Sequence, residues 1–278
     1  MSGGRVIRAP ASIANLGPGF DILAMAVDLW LEVEAEPSES PQWSWEGEGA
    51  HILSTRPNPI SVLPFKGRVR NGIPLGVGLG SSAAARLVAS ILRDPEGNAF
   101  DAAAASEGHP DNVAASYSGG LVAVVRDKIH KLPSPDLEIA LLVASEPFAT
   151  ERAREVLPVR ISRADAVANA GSVGLLVHVL HTRQWELLGT AMEDLLHQPY
   201  RLELYPWVLT AMRAATAAGA LGSAVAGAGP SLFAFCQPGT GQAVAAAMAA
   251  SAPRQGRPLV TRVTDVGMSS VPLSLGQG

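Results

Sequence analysis

Glycine at alternate positions, Gly76, Gly78 and Gly80, runs directly into Ser81, Ser82 and a stretch rich in Ala and Leu. Few backbones accommodate that order. Glycine admits the left-handed conformations that let a chain turn and approach a ligand closely, with its N–H groups pointing inward. The stretch from Ser81 to Arg93 has helix-forming composition behind a serine start, so a helix is expected to open where the glycines end. A helix N-terminus offers unpaired amides and the positive end of the dipole, which suits phosphate. The Ser81 and Ser82 hydroxyls are suited to phosphate or to Mg²⁺. The segment is not a Walker A loop, because Gly80 is followed by serine, and Ser81 also stands where G-x-G-x-x-G needs its third glycine. Taken alone, a glycine-rich turn with a serine cap fits it equally well.

Composition bounds what can surround this loop. The chain has 278 residues, 47% hydrophobic and 17% charged, enough for a core and long enough for two domains. Its formal net charge is −4, so it has no overall basic footprint for nucleic acid or anionic lipid. The single cysteine, Cys236, excludes an intrachain disulfide and a cysteine zinc cluster, and it closes an apolar run from Leu232 that predicts a buried, unreactive thiol. No stretch of about 18 apolar residues runs unbroken, and nothing before Pro10 has the pattern of a signal peptide. A soluble cytoplasmic protein without nucleic-acid or membrane partners is the expectation.

Patterning gives a mixed α+β chain. Strands are expected at Arg5–Ala9, Ile22–Glu36, Gln42–Glu48, Leu121–Val125, Ile139–Ala144 and Leu259–Thr264, with an edge strand at Lys66–Arg70. Two more should flank Gly227–Pro230. Helices are expected at Ser81–Arg93, Asp101–Glu107, Arg163–His181, Trp185–Leu196, Pro206–Ala218 and Gln242–Ala250. Four prolines make Ser54–Pro64 a loop, and a domain boundary falls near Pro133–Leu137. Trp43 and Trp45, two apart, read as one strand face. His51, His130, His178, His181 and His197 read as ordinary surface or packing residues.

Two further segments concentrate polar chemistry. Glu107-Gly-His-Pro-Asp-Asn112 holds two carboxylates, an imidazole and an amide, able to hold Mg²⁺ or a small polar substrate, although a polar turn also accounts for it. Ala224–Ser231 places glycines between two apolar strands, a weak pattern that a hairpin explains as well.

Together the three segments, with Ser12-Ile-Ala-Asn-Leu-Gly-Pro-Gly-Phe-Asp21, resemble the GHMP kinases in order and spacing over nearly the whole chain. Within that family the homoserine kinase branch is most similar, on Ser12–Asp21, Glu107–Asn112, Thr150-Glu-Arg-Ala-Arg154 and His197-Gln-Pro-Tyr-Arg201. The resemblance implies a two-domain α+β fold: a ribosomal-protein-S5-like ATP-binding domain over residues 1–136 and a ferredoxin-like domain over 137–278. It implies ATP-dependent phosphorylation of the L-homoserine hydroxyl, the step before threonine formation, in a homodimer. ATP would lie on Pro74, Leu75, Gly76, Val77, Gly78, Leu79, Gly80, Ser81, Ser82, Ala83 and Ala84, with Asn58 nearby. Mg²⁺ would be held by Ser82 and Glu107. The substrate's carboxylate would suit Arg154 and Arg201, and its ammonium Asn15, Asp21, His109 or Asp111, with Gly229 alongside. Asp111, Asp21 and Asn112 are the catalytic candidates, either aspartate being able to take the hydroxyl proton.

One departure from the family pattern has a consequence. Members carry a helix between the asparagine loop, here Pro57-Asn-Pro-Ile60, and the next strand, which begins almost at once at Lys66. That implies an abbreviated adenine site, weak ATP affinity and poor discrimination between nucleotides. A binding protein without catalysis and a kinase for another small alcohol remain open readings.

Overall fold

The computed structural model describes residues 4–252 and 254–273. From the N-terminus it runs β1 (Arg5–Ala14), β2 (Leu23–Pro37), β3 (Gln42–Gly47), α1 (Ala50–Leu53) and β4 (Phe65–Asn71). Three helices follow, α2 (Ser81–Arg93), α3 (Ala99–Glu107) and α4 (Pro110–Ser118), then the hairpin β5 (Leu121–Val125) and β6 (Lys128–Leu132). Next come β7 (Glu138–Ala144), α5 (Thr150–Glu155), α6 (Arg163–Thr182), α7 (Leu188–Ala191), α8 (Gln198–Arg201) and α9 (Trp207–Ala217). The chain continues through β8 (Gly222–Val225), β9 (Leu232–Cys236), α10 (Gly241–Ser251), β10 (Gly256–Arg262) and β11 (Ser269–Pro272).

The strands form two sheets, one in the order β11-β1-β2-β4-β3 with the β5–β6 hairpin attached to β2, the other β10-β7-β9-β8. β2 can serve two partners besides β1 because it is 15 residues long: Leu23–Met25 pair with β5, and Leu31–Pro37 with β4. Its register against β1 shifts between Pro10 and Ala11, where proline has no N–H for the ladder. α2 buries Ala83, Ala84, Leu87, Val88 and Ile91, one face at helical spacing, in the core beneath β1 and β2. In the second sheet α9 and α10 lay Val208, Ala211, Val244 and Met248 against Leu142, Leu232 and Ala234. Cys236 is buried there, and burial pushes its thiol up to about 11, as an inert packing residue requires.

Several expectations need correction. β4 is not an edge strand, since β3 pairs beyond it in parallel. Trp185–Leu196 is not one helix but a 3₁₀ turn at Trp185–Leu187, then α7 and a loop. α4 begins with Pro110 at its first helical position, where the missing N–H has no carbonyl to lose, so a segment read as a turn is helical. α1, β6 and β11 had no strong local signal. β11 pairs with Arg5–Arg8 of β1, so part of residues 137–278 lies in the first sheet.

The glycine loop is stitched to three places. Ser12 N–H donates to the Leu79 carbonyl (3.2 Å), Ser231 N–H to Val77 (3.3 Å) and Phe148 N–H to Gly76 (2.9 Å). Gly78 has φ +88, and a Cβ there would lie 2.0 Å from the Ala226 oxygen. Gly78→Ala should therefore lower unfolding stability by about 2–4 kcal/mol, because backbone faces backbone and neither side can yield cheaply. Gly171→Ala, in α6 with no atom within 4 Å of the added carbon, should instead stabilise by about 0.5–1 kcal/mol. Denaturant midpoints of the two variants check this.

Candidate active site

The loop between β1 and β2 turns through three successive left-handed residues, Asn15 (φ 74), Leu16 (φ 51) and Gly17 (φ 85), and Asp21 (φ 57) is left-handed too. Only a residue with local bonding holds such a conformation without glycine. Asn15 does so: its amide nitrogen donates to the Gly227 carbonyl (2.8 Å), and its amide oxygen accepts from Asp21 N–H (3.1 Å). Its side chain thus shapes the loop.

That loop, the glycine loop and α5 enclose a small polar cavity of about 100 Å³. Asn15, Asp21, His109, Asp111, Asn112, Arg154 and Arg201 all line it, together with Gly76, Gly78, Gly80, Ser81, Ser82 and Glu107. Segments over 180 residues apart are thereby brought to one place. Gly229 is not in the lining; Gly227 and Ala228 are, and Gly229 is packed against Tyr205. Val77, Leu79, Ala83 and Ala84 of the glycine loop turn into the core, so they can meet a ligand only through backbone. Thr150, the first residue of the Thr150–Arg154 motif, and Phe148, which sequence patterning did not single out, also line the cavity.

Charge in the cavity is unevenly compensated. Arg154 grips Asp21 bidentately, at 2.6 and 3.0 Å, and both are half-buried. Arg201 is only 1% exposed, yet its hydrogen bonds among the described residues go to uncharged groups. Its Nε donates to the Ala153 carbonyl (3.2 Å), and Nη1 donates to the Gly227 carbonyl and to His197 Nδ1 (3.0 Å each). Burial pulls its pKa down, but a guanidinium remains a cation at neutral pH. A buried cation without an acid beside it is an anion site in waiting.

Asp111, in the first turn of α4, accepts the Asn112 N–H at 2.7 Å. Burial raises its carboxyl to about 6, with that backbone bond pulling the other way. Asn112 is oriented by the Ser12 hydroxyl (2.9 Å). His109 is held below its ordinary value, first by burial and then by the Arg154 charge. At the N-terminus of α2, Ser82 Oγ donates to Glu107 Oε2 (2.7 Å), and Arg86 Nε lies 2.5 Å from the same oxygen. Among the described residues no three His, Cys, Asp or Glu side chains cluster as metal ligands. One hydroxyl and one carboxylate are enough for Mg²⁺ that reaches the protein chiefly through phosphates and water.

A second cavity of about 270 Å³ adjoins the first and shares Gly76, Ser81 and Ser82 with it. Leu31, Trp45, Leu53, Pro59, Ile60 and Leu75 give it apolar walls. Asn58 supports one wall, its amide oxygen accepting Ile60 and Ser61 N–H (3.1 and 3.0 Å). As expected from the sequence, no helix separates Asn58 from β4, and Leu53 of α1 and Trp45 of β3 are among the apolar residues that line this cavity. Sequence patterning missed Trp45 because a strand face of two tryptophans carries no mark of what it faces.

His197 is the other residue that patterning undervalued. It is fully buried and joins Arg201 to the first loop, its Nε2 lying 2.9 Å from the Gly17 carbonyl. Its place four residues before Arg201, in the segment His197–Arg201, was the available signal.

Comparison with known proteins places these features in a family. The family model described as GHMP kinases C terminal matches residues 176–254. Homoserine kinase from Moorella thermoacetica is 39% identical over 274 residues, covering 88% of this chain and 92% of that protein. Homoserine kinase from Thermus thermophilus is 39% identical over 274 residues, with 90% and 93% covered. Among solved structures, homoserine kinase from Cytophaga hutchinsonii matches with a TM-score of 0.83 at 29% identity, covering 98% of each chain.

The Asp111 carboxyl provides a test that needs no substrate. Its pKa is raised by folding, from 3.8 to about 6, so ionising it opposes the native state. That penalty is absent below about pH 4, grows as the pH rises towards 6, and is complete above it. At 1.36 kcal/mol per unit the full penalty is about 2–3 kcal/mol. Asp111→Asn should accordingly stabilise the protein by about that much at pH 7.5 and by almost nothing near pH 4. Equal denaturation differences at both pH values would show that Asp111 is not the buried charge responsible.

Proposed function

The chain belongs to the homoserine kinase family, and from that premise we propose that it transfers the γ-phosphoryl group of ATP to the side-chain hydroxyl of L-homoserine. The observation that carries this reading is Arg201, a buried guanidinium that has no carboxylate partner among the described residues and lines the same cavity as the glycine loop. An amino-acid carboxylate supplies the missing charge. The ammonium of the same substrate suits Asp21, and the zwitterion's two charges can exchange with the Asp21–Arg154 pair, each replacing one partner's counter-ion. Asn15 then acts by fixing the loop that carries Asp21, and His109 and Asp111 offer further polar contacts. Gly227 takes the place given to Gly229.

The phosphates of ATP are assigned to the amides that open α2 and to the backbone of Gly76–Gly80, which needs no side-chain cation. Ser82 and Glu107 would hold Mg²⁺, whose contribution is to neutralise phosphate charge. Asp111 is the better candidate to take the hydroxyl proton, since among the described residues no cation pairs with it while Asp21 is held by Arg154. Asn112, fixed by Ser12, borders the same space. Catalysis here consists of positioning and charge compensation. The adenine ring is assigned to the apolar cavity beside Trp45.

Two finer points follow the same reading. The outward side of α6 exposes Val167 and carries Gly171 and Gly174 facing open space, and it is the surface we assign to a homodimer. Among the described residues no helix is long and apolar enough to cross a membrane, and a cytoplasmic location suits a kinase that uses ATP.

Purified protein with MgATP should phosphorylate homoserine and leave mevalonate and galactose untouched; the reverse pattern would overturn the reading. Arg201→Leu should lower kcat/KM for homoserine by about 2–5 kcal/mol in transition-state stabilisation, with the KM for ATP nearly unchanged. Trp45→Ala should do the opposite, raising the KM for ATP by roughly 5–30-fold through lost apolar contact and sparing homoserine. Parallel steady-state titrations of both substrates measure both effects.

A further inference from the structure

His197 is fully buried, and both of its ring nitrogens face polar groups. Its Nδ1 lies 3.0 Å from Arg201 Nη1, and its Nε2 lies 2.9 Å from the Gly17 carbonyl and 3.5 Å from Asp194 Oδ2. The ring stacks on Phe20 at 5.2 Å, and the Arg201 and Arg154 guanidinium groups both lie over that phenyl ring, at 5.4 and 5.3 Å. Only one protonation state satisfies these contacts. A guanidinium can only donate, so Nδ1 must be the acceptor and carry no proton. The ring's one proton then sits on Nε2 and is donated to the Gly17 carbonyl. A protonated ring would lose Arg201. Burial holds the ring neutral, pulling its pKa down to about 4 even though the Asp194 carboxylate pulls upward. Asp194 itself is occupied, accepting the N–H groups of Leu196, His197 and Gln198.

We propose that His197 is a positioning residue for the phosphoryl acceptor: through one tautomer it fixes the Arg201 guanidinium and the loop carrying Asn15 and Asp21 in a single relative orientation. Arg201 spends Nε and Nη1 on Ala153, His197 and Gly227, so Nη2 is the edge left for the cavity. A guanidinium that swung by one bond would present a different edge. The histidine prevents that swing, and because its other nitrogen holds Gly17, the carboxylate anchor and the ammonium anchor move together or not at all. This rests on the reading that homoserine is the substrate.

The test uses side chains that replace one ring nitrogen at a time. In His197→Asn the amide oxygen lies where Nδ1 lies and can accept from Arg201. In His197→Gln the amide nitrogen lies where Nε2 lies and can donate to Gly17, but Arg201 loses its acceptor. His197→Ala should raise the KM for homoserine by about tenfold to a hundredfold, the range for a lost hydrogen bond to a charged group, with the KM for ATP within about threefold. His197→Asn should recover most of that loss and His197→Gln little of it. The double variant His197→Ala/Arg201→Leu should be no worse for homoserine than Arg201→Leu alone, because the histidine acts through the arginine. Additive losses, equal defects in Asn and Ala, or a matching rise in the KM for ATP would overturn the proposal. If His197→Ala does not fold, His197→Gln replaces it in the cycle with the same expected result. A parent protein inactive on homoserine would overturn the functional reading and this inference with it, whereas an active parent with additive losses would overturn the inference alone.

Discussion

The carbonyl of Gly227 accepts two hydrogen bonds, from Asn15 Nδ2 at 2.8 Å and from Arg201 Nη1 at 3.0 Å. One donor belongs to the loop after the first strand and the other to a helix nearly two hundred residues later. The acceptor sits in the turn between β8 and β9, whose own N–H returns to the Ala14 carbonyl (3.2 Å). The first loop, the last helix of the site and the second sheet therefore share one point. Glycine is needed there: φ is +54, and a Cβ would press to 3.1 Å from the Gly78 oxygen. The glycine loop can pass so close to that turn only because both are bare of side chains, and the cavity follows from this close passage.

Burial of charge in that cavity opposes folding. Among the described residues Arg201 is desolvated without a carboxylate in ion-pair contact, and Asp111 is desolvated with the Asn112 backbone N–H and the Arg154 charge offsetting part of the cost. Both burials act against the native state, and hydrophobic residues of similar size would pack there without that penalty. Two buried groups of opposite sign, held apart on different elements, are what a zwitterion with a reactive hydroxyl would need. The departure from best packing is confined to the place where chemistry is assigned.

What the sequence disclosed depended on whether the information was local. α2 was legible to the residue because glycines stop, serines start and alanines repeat, and all three signals lie within one turn of its boundary. The length of β2 was legible from its alternation. β11 was not, because the partner that makes Ser269–Pro272 a strand is Arg5–Arg8, at the other end of the chain. Lys66–Arg70 looked like an edge because charges alternate along it, but those charges lie on the solvent face and pair across strands, Lys66 with Glu36 and Arg68 with Glu46. The site residues were legible as motifs, and their division of labour was not. Asn15 lines the cavity as a ligand residue would but also braces its own loop, and His197, which reads as packing, lies against Arg201.

The two cavities divide the same way. The wall they share is Gly76, Ser81 and Ser82, backbone and hydroxyl at the head of α2. On one side lie Trp45, Leu53 and Ile60; on the other Asp111, Arg154 and Arg201. A molecule spanning both must be apolar and flat at one end and must cross the helix N-terminus in its middle. Anything reaching the far end meets buried charge of both signs. The helix dipole favours an anion at the crossing, and the resulting order matches the proposed placement of adenine, phosphate and homoserine. The junction between the cavities is made by Gly76, Ser81 and Ser82, so the glycine spacing that sets the path of the chain also sets where the two cavities meet.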